Sequence, residues 1–415
     1  MTINSKIVKI IVLIITLIYC YFETLDHQDF DIFILATKDF LQGGNIYKNT
    51  YESGFHFFYG AIFSIILSPF TLIPIQIARY IWICLNILAL ISTWKLLSAY
   101  FDTSKFTAKT IQWFNAICII FSAKLVLDNL HNGQVTIFLL LLILKGLKLI
   151  EQNKKITGAL LIALGISIKL LPLILIPYLF YSKEFKAIVA IIIFFFLFLL
   201  IPSFVVGINH NTLLLSEWWH LINPTNVEQI IDTGEATLNG LTSFIPTLFI
   251  EHVPDNASFN VKRNIANLDV KTVTIIINTL RVVLVLLTLF FLRRLPFKKT
   301  QSKLSGFWEL SYILLLIPMI FPHQQHYAFL LGLPACLYCV YWLLNQKHQI
   351  SKWQFNLRIT LLVVIYICFN LHLLFGQFRE YYDHFKLISY GSILLVILLA
   401  LCKPFKIELL NKSVV

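Results

Sequence analysis

Apolar residues in this chain come in runs bounded by charge, at 7–25, 75–98, 110–128, 132–150, 157–168, 170–181, 187–207, 271–293, 307–321, 327–345, 357–376 and 386–402. A helix rises 1.5 Å per residue and a bilayer's hydrocarbon core is about 30 Å thick, so about 20 apolar residues cross it. Only helices or closed barrels satisfy their backbone groups in that medium. Runs of this length predict an all-α integral membrane protein, a polytopic bundle of about twelve transmembrane helices in one domain spanning 1–415. The first run has no small-residue cleavage site behind it and is expected to remain as a span. No repeat of fixed period and no low-complexity segment interrupts the pattern.

A thirteenth run, 57–73, decides the sidedness. If it crosses, Lys105, Lys109, Lys154 and Lys155 fall outside. If it is an interfacial or re-entrant helix, those lysines share the cytoplasmic face with Lys183, Lys186, Arg293, Arg294, Lys298, Lys299, Lys347, Lys352, Lys403 and Lys406. Positive charge marks the cytoplasmic side, so the second arrangement is adopted. It makes 158–181 a short hairpin whose turn, Lys169 to Pro172, points outward. Each arm is only about 18 Å long at 1.5 Å per residue, so the turn is expected to be recessed. Two long outer loops remain, 23–56 and 208–270, and they hold thirteen of the 21 acidic residues. Loops this long in a compact protein usually carry function.

Composition narrows the class. Of the 415 residues, 58% are hydrophobic and 13% charged, about half the charge of a soluble domain. The net charge of +12 sits in clusters between apolar runs. That is an orientation and headgroup signal and excludes a nucleic-acid stripe. The seven cysteines lie inside apolar segments, where they act as small hydrophobes, with neither disulfide nor metal spacing.

Four places offer chemistry. Asp29 stands at or just before a helix predicted from Ile32, Leu35, Ala36 and Phe40 and ended by Gly43-Gly44. It suits either a helix cap or a general base at the membrane surface. Asp31, two residues on, is expected to face elsewhere as a solvated first-turn charge. The turn Asp128-Asn-Leu-His131-Asn132-Gly133-Gln134 is either a hydrogen-bonded hairpin or a donor-binding corner. Lys169, flanked by apolar residues, must snorkel or meet an anion, most simply a lipid phosphate. Finally, His323-Gln-Gln-His326 lacks a third metal ligand, and its imidazoles and amides suit a phosphate or sugar hydroxyls better. Glu309 is expected to pair structurally. Together the outward groups suit transfer from a lipid phosphate to a hydroxyl.

Asp29 to Ala36, continued by Leu41 to Tyr47, resembles the first-loop signature of glycosyltransferase family 87. Ala78-Arg-Tyr-Ile-Trp82, Gly133-Gln134-Val135, Ile168-Lys169-Leu-Leu-Pro172, Thr237-Leu-Asn239-Gly240 and Pro322 to His326 look like its later landmarks, in order. The resemblance implies a C-type glycosyltransferase fold and an inverting hexosyltransferase, mannosyltransferase-like, working on the outer face of the cell (inner) membrane. By it, Asp29 is the catalytic base. Lys169, His326, His323 and Gln134 hold a polyprenyl-phosphate sugar donor, with His131, Asn132, Tyr47 and Asn239 in support. A lipid or glycan acceptor is expected on the 208–270 side, with no cofactor, metal or nucleic acid. Two departures stand out: Tyr59-Gly60 replaces a Tyr-Pro-Pro run, and His323 and His326 are not adjacent. A flippase or lipid-linked sugar transporter is the rival class, although no inverted repeat is visible. An O-antigen polymerase or ligase would share the lipid-linked substrate.

Overall fold

The structure is a computed structural model that describes residues 5–404 except 105, 224–225, 252, 254–260, 299, 301, 348 and 377–378. Lys105, Lys299, Asp255 and Lys406, which enter the charge argument above, lie outside the described residues. All regular elements described are helical, and seven helices are long and apolar enough to cross a membrane. These are Ile75–Ser98, Ala108–His131, Phe185–Val206, Val270–Leu292, Lys303–Ile320, His326–Gln346 and Lys352–Leu373.

Run 7–25 becomes the helix Ser5–Glu23, of the same length, and the other expected spans take shorter forms. Run 132–150 becomes the helix Thr136–Glu151, and 386–402 becomes Leu387–Leu401. Run 57–73 breaks into Ala61–Leu67 and a 3-10 turn, Ser68–Leu72. The hairpin 158–181 also differs from expectation. Its first arm is a helix, Lys155–Ile168, but its second is a 3-10 turn, Leu171–Ile174, followed by Leu175–Tyr181. Pro172 and Pro177 lack an N–H and cannot continue a regular ladder.

Contacts divide the chain into two compact units. The first comprises residues up to Leu96, Asp128–Leu173 and Phe185–Ile222. Its core is aromatic: Phe30 stacks on Trp82 at 5.1 Å, and Phe33 meets Tyr59 edge-on at 4.8 Å. The Thr136–Glu151 and Lys155–Ile168 helices approach closely because a Cβ on Gly158 would sit 2.5 Å from the Gly146 carbonyl oxygen. Small residues at a helix crossing are how apolar helices associate without a hydrophobic drive. The Phe185–Leu200 helix instead turns Val189, Ile193 and Phe196 outward, a lipid-facing pattern for so apolar a segment.

The second unit comprises Leu97–Leu127, Ile174–Glu184 and the chain from Asn223 onward. Its centre is the pair of almost wholly buried helices Lys303–Ile320 and Leu333–Gln346. Phe291 stacks on Tyr312 at 3.9 Å, and the Trp308 indole N–H donates to the Leu399 carbonyl at 2.9 Å. Arg294 pairs with Glu309 at 3.2 Å, so Glu309 has the structural partner expected of it.

Candidate active site

Asp29 begins the helix Asp29–Leu41. It is not the cap. Gln28 occupies the N-cap position, and the Asp31 carboxylate accepts the Gln28 backbone N–H at 3.1 Å. Asp31 therefore departs from the expectation of a solvated charge: it is 2% exposed. Arg79 donates to both of its oxygens, Nε to Oδ1 at 2.8 Å and Nη2 to Oδ2 at 2.5 Å. The same guanidinium donates to the Thr24 carbonyl at 2.9 Å. A bidentate, buried pair of this kind fixes geometry as well as charge. It relieves Asp29 of any capping duty and leaves it half-exposed.

Gln134 reaches Asp29 from the turn after the Ala108–His131 helix. Its Nε2 donates to Asp29 Oδ2, and its Oε1 accepts the Tyr59 hydroxyl at 3.2 Å. The turn is pressed onto the start of the Asp29 helix. Gly133 adopts φ +61°, a Cβ there would meet Gln28 Oε1 at 2.8 Å, and Trp82 donates to the Gly133 carbonyl at 2.6 Å. Both demands, left-handed backbone and close approach, require glycine.

Lys169 ends the Lys155–Ile168 helix in extended backbone, with its ammonium 5.6 Å from the centre of the Tyr59 ring. Gly60 locks these two segments together. Its N–H donates to the Ile168 carbonyl at 3.1 Å, and a Cβ would lie 2.1 Å from the Ser167 carbonyl oxygen. Burial lowers the Lys169 ammonium to about 8, and the Asp29 carboxylate pulls it the other way. Asp29, Gln134, Tyr59 and Lys169 thus form one cluster in the first unit. The rest of the first loop braces it. Tyr47 donates to the Tyr59 carbonyl at 3.0 Å and stacks on Trp218, whose indole donates to the Phe58 carbonyl at 3.1 Å. Lys48 pairs with Glu217 at 3.0 Å.

Other expected residues have different company. His131 pairs with Glu23 at 2.9 Å, and the Asn132 backbone N–H closes its turn on the Asp128 carbonyl. In the second unit His326 Nε2 lies 2.8 Å from Asp383 Oδ1. Burial pushes the Asp383 carboxyl up, yet His326, His372 and Lys124 outweigh it and leave it lowered. His323, at φ +54°, faces Asp232 at 3.3 Å and Glu235 at 3.8 Å. Asn239 is bound into backbone: its N–H donates to the Gln324 carbonyl and its carbonyl accepts the Ser389 hydroxyl at 2.7 Å. One group among the described residues brings three metal-type donor atoms within 4.8 Å, namely His27, Asp31 and Glu52. There a cation would compete with Arg79 for Asp31.

One residue of the cluster and one beside it escaped prediction. Tyr59 was visible only as a departure from a family pattern, and Arg79 only as part of a landmark.

A model of glycosyltransferase family 87 matches residues 57–322. The chain belongs to that family. It is therefore a membrane glycosyltransferase, taking a sugar from a donor to an acceptor. The match takes in Tyr59, Arg79, Gln134 and Lys169, while Asp29, His323 and His326 lie outside it. Comparison with curated proteins gives no match.

Proposed function

We propose that this family 87 enzyme transfers a hexose, mannose by preference, from a polyprenyl-phosphate donor to a hydroxyl of a lipid or glycan acceptor. The reaction runs at the outer face of the cell membrane with inversion. Asp29 takes the acceptor proton as the oxygen attacks the anomeric carbon. The anomeric bond to the phosphate oxygen breaks, and the electron pair leaves with the polyprenyl phosphate. Lys169 meets that charge. A lipid phosphate needs less assistance on departure than a nucleotide diphosphate, which suits a cluster of side chains alone. The observation that carries the reading is the grouping of a half-exposed carboxylate with a recessed lysine around one neutral amide.

His326 and His323, expected from the sequence to hold the phosphate, lie in the second unit and face Asp383, Asp232 and Glu235, so the reading rests on the first unit's residues alone. The test is direct. Purified protein is incubated with labelled polyprenyl-phosphate mannose, glucose or galactose and a bacterial lipid extract. Label entering a new lipid or glycan product supports the reading; label recovered only as intact donor from all three sugars overturns it.

A further inference from the structure

An ionised carboxylate can only accept hydrogen bonds, so the Gln134 amide must turn its NH2 toward Asp29. Its carbonyl oxygen then faces Tyr59, and the tyrosine hydroxyl must donate. Burial and the charge of Asp29 both push the Tyr59 phenol up, so it keeps the proton this requires. The Lys169 ammonium over the ring draws on the same π electrons and strengthens the hydroxyl as a donor. Gln134 is 1% exposed and Tyr59 is buried, so water does not compete for either link. The direction of the chain is fixed: tyrosine to amide, amide to Asp29 Oδ2.

We propose that Gln134 and Tyr59 are positioning residues that orient the Asp29 base and favour its charged form through a one-way hydrogen-bond chain ending on Oδ2. The proposal rests on Asp29 being the base. In the transfer step the acceptor O–H proton passes to the Asp29 carboxylate, the acceptor oxygen bonds to the anomeric carbon, and the bond from that carbon to the phosphate breaks, its electron pair leaving with the polyprenyl phosphate. This gives Gln134 a duty beside the phosphate contact expected of it, since its amide bridges Asp29 and Tyr59.

A hydrogen bond to the charged form lowers a carboxyl's pKa, and its loss raises it. The acid limb of a rate profile reports that group in the free enzyme. The experiment follows kcat/KM for transfer between pH 4 and 9 in lipid nanodiscs, using whichever polyprenyl-phosphate hexose donates. Gln134→Leu should move the acid limb upward by about one pH unit and lower turnover at neutral pH about tenfold, with donor KM unchanged. Tyr59→Phe, the milder change, should shift the limb the same way by less. A loss expressed through donor KM, or an acid limb that stays at the wild-type position in both variants, overturns the proposal. Asp29→Asn separates the two layers. If that variant is inactive while Gln134→Leu keeps the wild-type limb, only the positioning role falls. If it transfers sugar normally, the base assignment falls and takes this inference with it.

Discussion

The two units set their charged side chains in different company. In the second, ionisable side chains answer one another: His326 faces Asp383, His323 faces Asp232 and Glu235, and Arg294 faces Glu309. In the first, Asp31 pairs with Arg79, His131 with Glu23 and Lys48 with Glu217, while Asp29 and Lys169 act on each other and also lean on a neutral amide and a tyrosine ring. A buried pair that satisfies itself fixes conformation and adds little net stability. Asp29 and Lys169 are the groups that the proposed function turns toward a proton and an anion. On the proposed function the reacting groups lie in the first unit, and the second contributes paired charge.

Breaking the reactive side should give the largest effect. Asp29→Asn keeps the shape and the Gln134 contact but cannot take a proton, and should slow transfer by roughly 10²–10⁴-fold. Donor binding, measured with a non-transferable analogue, should survive; near-normal transfer would remove Asp29 from the chemistry. Lys169→Ala should weaken both binding and turnover, together about 10²-fold, because its charge meets phosphate in ground and transition states alike. The pH dependence has a definite sign. With burial lowering the lysine to about 8, charged lysine and hence affinity for the singly charged donor prevail below that value. Affinity should decline as pH rises through it, and Lys169→Gln should bind weakly with no such decline.

Breaking the settled pairs should cost stability more than chemistry. Arg79→Met strands a buried Asp31 and should destabilise the protein by ~3–5 kcal/mol in thermal unfolding. Adding Asp31→Asn should return much of the loss. Asp383→Asn should cost less, about 1–3 kcal/mol, since the amide keeps one contact. Asp383 is held below its ordinary value, so its contribution is present above the unfolded carboxyl's pKa, about 3.9. It is lost as pH falls toward the folded value, and the Asn variant should lack that acid loss. The smallest effect should come from chelation, with transfer changing by no more than about twofold if no metal takes part. Activity lost in chelator and restored by a divalent ion would redirect attention to His27, Asp31 and Glu52.

Much of this was legible in the sequence, for identifiable reasons. Lys169 stood out because it is flanked by apolar residues, Asp29 because it stands at a predicted helix start, and Gln134 because it closes a polar turn, all local signals. All three meet in the first unit. Arg79 with Asp31 and Tyr59 with Gln134 were not legible, because their partners lie 48 and 75 residues away and no periodicity reports such a pairing. Spans were found by length and hydropathy, which cannot foresee where prolines turn a run into 3-10 pieces, as at 171–174. The same limitation hid the separation of the two arms of 158–181 into different compact units.

Arg79 also has a consequence for biogenesis. The chain is made from its N-terminus, so Thr24 and Asp31 emerge well before the guanidinium that will join them, itself at the start of the Ile75–Ser98 helix. Until that helix is inserted, the first turn of the Asp29 helix has an unanswered carboxylate and an unfinished anchor to the end of the preceding one. The start of the Asp29 helix is therefore completed by a later span rather than by its own loop. A nascent chain arrested before residue 79 would carry the Asp29 helix with its first turn still unbraced.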